Sequence, residues 1–224
     1  MNIAIIPARG GSKRIKNKNI KIFFGKPIIY WSIIKLLKTK LFKKIYVSTD
    51  SKIIKQSLNN IKCEILFPRP KYLSNDYTNT LEVIKYEINQ IKNDNIKNIC
   101  CMYPASPLTS ANDILHGYNI LEKNRKYFII PSCKASFDIE RVFYKKKKFV
   151  FKNPKFINSR SQDLRTFFHD AGQFYWATKN NWLKSKNIFH DFIPFEINQS
   201  RFCDINNMED WKRAKILFKG LKVK

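Results

Sequence analysis

The sequence of 224 residues is short of acidic residues: it has 17 Asp and Glu against 43 Lys and Arg, a formal net charge of +26. Such an excess of positive charge attracts nucleic acids, acidic membranes or small polyanions. The basic residues are scattered, however, and the chain lacks RNP, helix-turn-helix and zinc-finger patterns. We interpret most of them as a solvated lysine surface and expect no nucleic-acid partner. A basic nucleic-acid-binding protein is the alternative from another class.

Two further absences concern the compartment. The five cysteines lack C-x-x-C spacing and have no paired histidines, which argues against a zinc site or a disulfide framework and for reduced, mostly buried thiols. The first apolar run stops at Pro7, and no later run reaches the roughly 20 residues of a membrane span. The sequence therefore predicts a cytoplasmic protein with no membrane partner.

Short apolar runs rich in β-branched residues alternate with longer helical patterns. The runs are N-I-A-I-I, K-I-Y-V-S-T-D, C-E-I-L-F, N-I-C-C-M-Y and Y-F-I-I-P. Each interval is long enough for a crossover helix, which is typical of βαβ units. With no repeat and no linker, we predict a single domain over 1–224, an α/β fold with a mostly parallel, Rossmann-like sheet flanked by helices. Ligands of such sheets bind at the carboxyl ends of the strands.

The helix starts are marked by proline and capping residues. Pro27 is expected in the first turn of a helix whose apolar face begins at Ile29 and repeats at i+4, i+7 and i+8. The capping residues expected for later helices are Asp50 with Ser51, Asp76, and Asn206 or Asn207.

The alternation of strands and helices fails between residues 135 and 175. R-V-F-Y-K-K-K-K-F-V-F-K predicts a two-stranded β-ribbon with a lysine-rich turn, and the following residues are polar and aromatic without a clean period. A long irregular stretch inside an α/β domain is either a functional insertion or an interaction arm. We therefore predict an inserted arm at 135–175.

The loop after the first strand, residues 8–19, is strongly positive and is called the basic loop below. It fits neither G-x-x-x-x-G-K-[ST] nor G-x-G-x-x-G. It offers the backbone N–H groups of Gly10 and Gly11 and the Ser12 hydroxyl. Its main cations are Arg9, Lys13 and Lys18. These are the parts of a triphosphate cradle, although an exposed basic loop with a Gly-Gly turn explains them equally well.

Distinct blocks follow one another in order along nearly the whole chain. They are P-A-R-G-G-S-K-R-I, G-K-P-I-I-Y-W, V-S-T-D, R-P-x-x-L-S-x-D, Y-P-A-S-P-L-T, S-R-S-Q-D-L, H-D-A-G-Q-F-Y-W and D-I-N-N-M-E-D-W. This series resembles the acylneuraminate cytidylyltransferase family, the nucleotidyltransferases that make CMP-activated nine-carbon acid sugars. The resemblance implies an enzyme with CTP and an acid sugar as substrates.

The later blocks are most similar to the branch of the family that uses pseudaminic acid. Sialic acid enzymes typically read Q-P-T-S-P-L and N-G-A where this chain has Y-P-A-S-P-L and A-G-Q. The resemblance implies attack of the anomeric hydroxyl of pseudaminic acid on the α-phosphorus of CTP, giving CMP-pseudaminic acid and pyrophosphate. Legionaminic acid, Neu5Ac and an eight-carbon acid sugar are the alternatives within this class.

The resemblance assigns residues to the nucleotide. It implies catalytic roles for Arg9, Lys13 and Lys18. The implied nucleotide-binding residues are Ala8, Arg9, Gly10, Gly11, Ser12, Lys13, Lys18, Asn19, Arg69, Thr80 and Tyr103. An exposed loop arginine is the alternative for Arg69 and a plain helix residue for Thr80. Asp50 matches the family, and helix capping explains it nearly as well.

The same resemblance assigns residues to the sugar and to a dimer interface. The candidates for the sugar carboxylate, hydroxyl and acetamido groups are Arg141, Gln162, His169, Asp170 and Gln173. In relatives the arm completes the active site of the partner, so we expect a homodimer with some site residues supplied in trans. We expect the aromatic residues of the arm region, from Phe167 to Trp176, in interface and core rather than stacked on a ligand.

Mg²⁺ is the cofactor that the resemblance implies, with Asp204 and Asn206 as its ligands. The family commonly has D-I-D here, and this chain has Asp204-Ile205-Asn206, so one negative charge is lost. We expect weaker Mg²⁺ binding or a heavier reliance on the triphosphate as ligand. Asn206 as a helix cap is the alternative, and an enzyme that has lost turnover and persists as a binding subunit is a third hypothesis.

Overall fold

An eight-stranded sheet forms the centre of the computed structural model, which describes residues 1–91 and 93–222. The strands are β1 Asn2–Pro7, β2 Ile22–Phe23, β3 Lys26–Pro27, β4 Lys44–Ser48, β5 Glu64–Leu66, β6 Asn98–Met102, β7 Phe128–Lys134, β8 Phe143–Lys145, β9 Phe149–Phe151, β10 Phe168–Asp170, β11 Phe174–Thr178 and β12 Phe192–Glu196. The α-helices are α1 Ile28–Thr39, α2 Lys52–Ser57, α3 Thr80–Ile91, α4 Ala111–Lys123, α5 Lys179–Lys184 and α6 Met208–Lys222.

The sheet is mostly parallel, which confirms the predicted fold class. Its order is β10-β7-β11-β6-β1-β4-β5, and β12 also pairs with β7. β1 pairs in parallel with β4 and β6, β4 with β5, and β12 with β7. β11 runs antiparallel between β6 and β7, and β10 pairs antiparallel with β7. The sequence did not predict β11 because its aromatic residues fell within the expected arm.

The period-two alternation of β1 supplies a core on each face of the sheet. Ala4 and Ile6 face the layer that contains α1, where Ile33 is fully buried. Ile3 and Ile5 face the layer that contains α3. A third apolar cluster packs α6 against the basic loop, which contributes Ile15 to it. The sheet therefore holds the end of β1, and the basic loop that follows it, on a rigid support.

The helix starts follow the predicted pattern in part. Ser51 caps α2 through its hydroxyl, and the Asn207 side chain accepts N–H groups at the start of α6, as predicted, whereas Pro27 lies one residue before α1 and not in its first turn. Asp76 as a cap is wrong, since the side chain of Asn79 accepts the N–H group of Glu82 in the first turn of α3. Asp76 is therefore free for another role.

The insertion is shorter than predicted at its C-terminal end. β8 and β9 form the expected ribbon around a lysine-rich turn. β10 and β11 belong to the central sheet, so the segment outside the sheet spans 135–167, and "the arm" below means these residues.

All five cysteines are free, and three of them are buried. Among the described residues, no helix has the length and apolar composition of a membrane span.

Candidate active site

A cavity of about 610 Å³ opens at the carboxyl ends of the central parallel strands. Its size lies within the range of small-molecule sites, about 300–1,000 Å³. It is enclosed by the basic loop, the segment around 69–80, the segment 103–108 and the turn between β10 and β11. The segment 202–206, which precedes α6, closes the remaining side. Five stretches that are far apart in sequence therefore meet at one pocket.

The basic loop leaves β1 in a fixed direction. The Ala8 N–H donates to the Ser48 carbonyl at 2.8 Å, and the Gly10 N–H donates to Asp50 Oδ1 at 2.8 Å. A Cβ on Gly10 would lie 2.8 Å from the Cβ of Ser51, so this position requires glycine. One expectation is corrected here: Asp50 accepts the Gly10 N–H and anchors the loop, and Ser51 rather than Asp50 caps α2.

Lys18 joins the basic loop to the segment 202–206. Its Nζ donates to the Ile205 carbonyl at 2.9 Å. Burial lowers the pKa of Lys18, and the nearby Asp204 carboxylate opposes that shift. Asn19 is buried next to it and donates to the Arg9 carbonyl at 3.0 Å. Ser12 also lines the pocket, so most of the predicted phosphate-binding residues face one cavity.

Asp76 pairs with the other two cations of the basic loop. Arg9 Nη1 lies 2.6 Å from Asp76 Oδ1, and Lys13 Nζ lies 2.5 Å from Asp76 Oδ2. Hydrogen bonds from Lys13 and Arg9 lower the pKa of Asp76. The sequence analysis missed this pocket residue, although the block R-P-x-x-L-S-x-D contained it.

Arg69 is a buried residue of the pocket rather than an exposed loop arginine. It is 4% exposed, and its Nε donates to Ser74 Oγ at 3.1 Å. Burial lowers its pKa, while the charges of Asp50 and Glu87 act in the other direction. Glu87 accepts a hydrogen bond from Ser48, and burial raises its pKa. A buried positive charge therefore lies beside the basic loop.

A row of hydroxyl groups crosses the pocket from α3 to the turn after β10. The Thr80 hydroxyl lies 2.8 Å from the Tyr103 hydroxyl, so Thr80 is more than a plain helix residue. The ring of Tyr103 meets that of Tyr175 edge to face, and the Tyr175 hydroxyl donates to the Asp170 carboxylate. Burial raises the pKa of Tyr103 to about 12 and raises that of Tyr175 further. The raised pKa values keep both phenols neutral, and the Tyr175 phenol is a donor to Asp170. No sequence signal pointed to Tyr175 as a pocket residue.

Gln173, a predicted sugar ligand, is occupied within the protein. It is 4% exposed; its Oε1 accepts from the Thr109 hydroxyl at 2.9 Å, and its Nε2 donates to the Arg201 carbonyl. Arg201 in turn forms a two-pronged ion pair with Asp113, at 2.8 and 2.9 Å. The Gln173 amide therefore links Arg201, the residue before the segment 202–206, to Thr109.

The other predicted sugar residues divide into two groups. His169 and Asp170 line the pocket, and Asp170 Oδ1 also accepts the Gly172 N–H at 2.9 Å. Arg141 and Gln162 lie in the arm, outside the lining of this pocket. Arg141 donates to the carboxylate of Asp138 within the arm. One chain therefore brings only part of the predicted sugar site together.

Asp204 and Asn206 adjoin one another in the pocket, with the Asn206 amide nitrogen donating to Asp204 Oδ2. Asn207 is the cap of α6, so capping does not account for the Asn206 side chain. Over residues 1–91 and 93–222, no three His, Cys, Asp or Glu side chains form a metal-binding group. One carboxylate and one amide oxygen fit Mg²⁺ when phosphate oxygens of a substrate complete the coordination.

Comparison with known proteins agrees with this geometry. The model of the family described as "Cytidylyltransferase" matches residues 3–216. A pseudaminic acid cytidylyltransferase of Campylobacter jejuni subsp. jejuni serotype O:23/36 (strain 81-176) is 37% identical, over 97% of this chain and 96% of that protein. An N-acylneuraminate cytidylyltransferase of Escherichia coli O18:K1:H7 is 26% identical, over 95% of this chain and 51% of that protein.

A solved structure supports the fold. The CMP:2-keto-3-deoxy-manno-octonic acid synthetase complexed with CTP aligns with a TM-score of 0.73 over 98% of both chains, at 14% identity. At that identity the likeness concerns the fold alone. The family model, by contrast, covers nearly the whole sequence, and the Campylobacter protein is related over its full length. The chain therefore belongs to the cytidylyltransferase family.

Proposed function

We propose that this cytidylyltransferase joins CTP to pseudaminic acid, giving CMP-pseudaminic acid and pyrophosphate. The observation that carries the proposal is the pocket at the carboxyl ends of the sheet, whose lining brings Arg9, Lys13 and Lys18 of the basic loop together with Asp204. The 37% identity to a pseudaminic acid cytidylyltransferase supports the choice of sugar.

The nucleotide half of the pocket supplies charge and shape. Arg9, Lys13 and Lys18 would bind the triphosphate oxygens and stabilise the charge that accumulates on the leaving pyrophosphate. Arg69 would lie beside the cytidine, where Thr80 offers a hydroxyl that already contacts Tyr103. These roles use groups that face the pocket in the ligand-free chain.

The sugar half of the pocket would align the nucleophile. The anomeric hydroxyl loses its proton to solvent and attacks the α-phosphorus, the bond from that phosphorus to the bridging oxygen breaks, and pyrophosphate leaves with the bonding electron pair. Alignment and charge stabilisation account for most of the catalysis in such transfers. Asp170 is held by Tyr175 and Gly172, so its carboxylate would accept hydrogen bonds from sugar hydroxyls in a fixed place, with His169 beside it.

We also propose Mg²⁺ as the cofactor, held by Asp204 and the amide oxygen of Asn206 together with phosphate oxygens of CTP. When bound, the ion supplies charge neutralisation at the triphosphate. Asn206 would have to turn its amide oxygen toward the ion, since its nitrogen now faces Asp204. Because only one carboxylate is present, binding of Mg²⁺ should depend strongly on the nucleotide.

A homodimer is part of the proposal. The arm exposes several large aromatic side chains, and it carries Arg141 and Gln162 outside the pocket of its own chain. The exposed aromatic residues of the arm are Phe137, Phe143, Tyr144, Phe149 and Phe167, and Phe168 follows them at the start of β10. A second copy of the chain would cover such an apolar surface and receive the two polar residues.

The free thiols fit a reducing compartment, and we place the enzyme in the cytoplasm.

The test is pyrophosphate release from CTP with pseudaminic acid, legionaminic acid or Neu5Ac, each with Mg²⁺ and with EDTA. We expect turnover that requires Mg²⁺ and prefers pseudaminic acid. An Asn206→Asp variant should reach half-maximal rate at a lower Mg²⁺ concentration, because a second carboxylate is added. Preference for another acid sugar would contradict the substrate, and no release with any of them would contradict the activity. Salt-sensitive binding of DNA by an inactive protein would favour the alternative class.

A further inference from the structure

The ion pairs of Asp76 join two segments that line the pocket and are far apart in sequence. Asp76 belongs to the stretch before α3, whereas Arg9 and Lys13 belong to the basic loop. The carboxylate gives one oxygen to each cation. The spacing of the two cations is therefore set by the two oxygens of a single carboxylate.

Asp76 itself lies in a turn that is fixed by its neighbour. Asn75 Oδ1 accepts the N–H groups of Tyr77 and Thr78, both at 2.8 Å, and Asn75 Nδ2 donates to the Tyr72 carbonyl at 2.7 Å. Such side-chain to backbone bonds hold a loop in one conformation. The turn gives the carboxylate a defined position at the rim of the pocket.

Both cations keep donors for a ligand while they are paired. A guanidinium has five N–H donors and an ammonium has three, and each uses only part of its set toward Asp76. The side chain of Lys13 is 80% exposed, so without a partner it would sample many rotamers. The pairing therefore orders the cations without consuming them.

We propose that Asp76 is a positioning residue that holds Arg9 and Lys13 where the triphosphate of CTP binds. This inference rests on the proposed function, because it takes the triphosphate as the ligand of those cations. Ordering two long side chains before the ligand arrives removes an entropic cost of binding. The cations act on the phosphates, and Asp76 acts through the cations.

Simple charge repulsion predicts the opposite effect of removing Asp76. A carboxylate close to a triphosphate repels it, so loss of that carboxylate would strengthen CTP binding. Loss of a positioning residue weakens binding instead. The sign of the change in affinity therefore separates the two roles.

The experiment is calorimetric titration of the full-length chain with CTP and, separately, with CMP. The variants are Asp76→Asn and Asp76→Glu, with Asp94→Asn as the matched control. Asp94 pairs with Lys179, which lines a different pocket at the opposite end of the sheet. Asp76→Asn should raise the dissociation constant for CTP about tenfold, on the scale of two side chains losing their order. CMP, which lacks the outer phosphates, should bind within about twofold of wild type.

Asp76→Glu should recover part of the CTP affinity, because it restores the charge on a longer stem, and Asp94→Asn should leave both affinities unchanged. CTP binding by Asp76→Asn that is equal to or tighter than wild type would overturn the positioning role. An equal loss for CTP and CMP would also overturn it, since the effect would not come through the triphosphate. A wild-type chain that binds no CTP would instead contradict the proposed function itself.

Discussion

The active-site pocket and the arm are held together in different ways. In the pocket, bonds link segments that are far apart in sequence: Lys18 bonds to Ile205, and Arg9 pairs with Asp76. In the arm, the ion pairs are local, since Arg160 pairs with a residue only three positions away. The pocket is therefore fixed by tertiary structure within one chain, and the arm is fixed chiefly by its own contacts.

The two regions also differ in what they expose. The pocket lining gathers charged and polar groups among apolar ones, whereas the ribbon of the arm exposes aromatic side chains beside its lysine-rich turn, with Phe143 57% and Phe149 66% exposed. Exposed aromatic groups clustered on one segment mark an interaction surface. The predicted nucleotide-binding residues that line the pocket therefore come from one chain, whereas the predicted sugar residues Arg141 and Gln162 lie in the arm with the exposed aromatic groups.

The largest expected effect is the loss of Lys18 from the pocket. Lys18→Ala removes a half-buried cation from the proposed triphosphate site and also the bond to Ile205. The rate of pyrophosphate release at saturating substrates should fall by about 10²–10³, the usual cost of removing one electrostatic stabiliser of a transition state.

The matched control for this variant is Lys16→Ala, an exposed lysine of the same loop. It removes the same charge from the loop but no group that lines the pocket. Its rate should stay within about twofold of wild type, because exposed charges are well screened. A similar loss in both variants would mean that the loop acts through its net charge and not through placed residues.

The next prediction compares the free energy of unfolding of two variants, with one glutamine replaced in each region. Gln173→Ala leaves Thr109 and the Arg201 carbonyl without a buried partner, which should lower the free energy of unfolding by about 1–3 kcal/mol. Gln162→Ala in the exposed arm should change it by less than about 0.5 kcal/mol. Urea unfolding measures both values, and equal changes would show that the Gln173 network adds nothing to stability.

The sequence predicted the parts of this molecule that depend on local pattern. The buried runs predicted β1, β4, β5, β6 and β7, and the ordered blocks identified the basic loop and the segment that contains Asp204. Those features follow from periodicity and motif, which neighbouring residues carry. The predicted roles of Arg9 and Lys18 in catalysis remain predictions.

The errors concern groups whose partners are distant in sequence. Asp50 and Asp76 both precede helices, so a cap was the natural interpretation, yet their carboxylates bond to the basic loop. Gln173 and Tyr175 sit in one block, and only the fold shows that the first is buried in a network while the second holds Asp170. Such roles depend on which segments meet, and a linear pattern does not contain that information.

The smallest expected effect tests whether the arm serves the partner subunit. Arg141→Ala should raise the KM for the acid sugar about tenfold, the cost of one charge-assisted hydrogen bond, with the affinity for CTP unchanged. Arg160→Ala is the matched control, since it lies in the same arm and pairs only locally with Asp163. It should leave both constants unchanged, and equal effects of the two variants would mean that any change in the arm lowers activity.

Mixing two variants decides where Arg141 acts. Arg141→Ala and Lys18→Ala subunits are combined at equal concentration and assayed at low acid sugar. If the arm completes the pocket of the partner, half of the dimers are mixed and each contains one pocket with both residues intact. Activity then returns to about a quarter of wild type by this count. If Arg141 serves its own chain, the mixture gives only the mean activity of the two variants. That result would contradict the contrast between an arm that serves the partner and a pocket that is built within one chain.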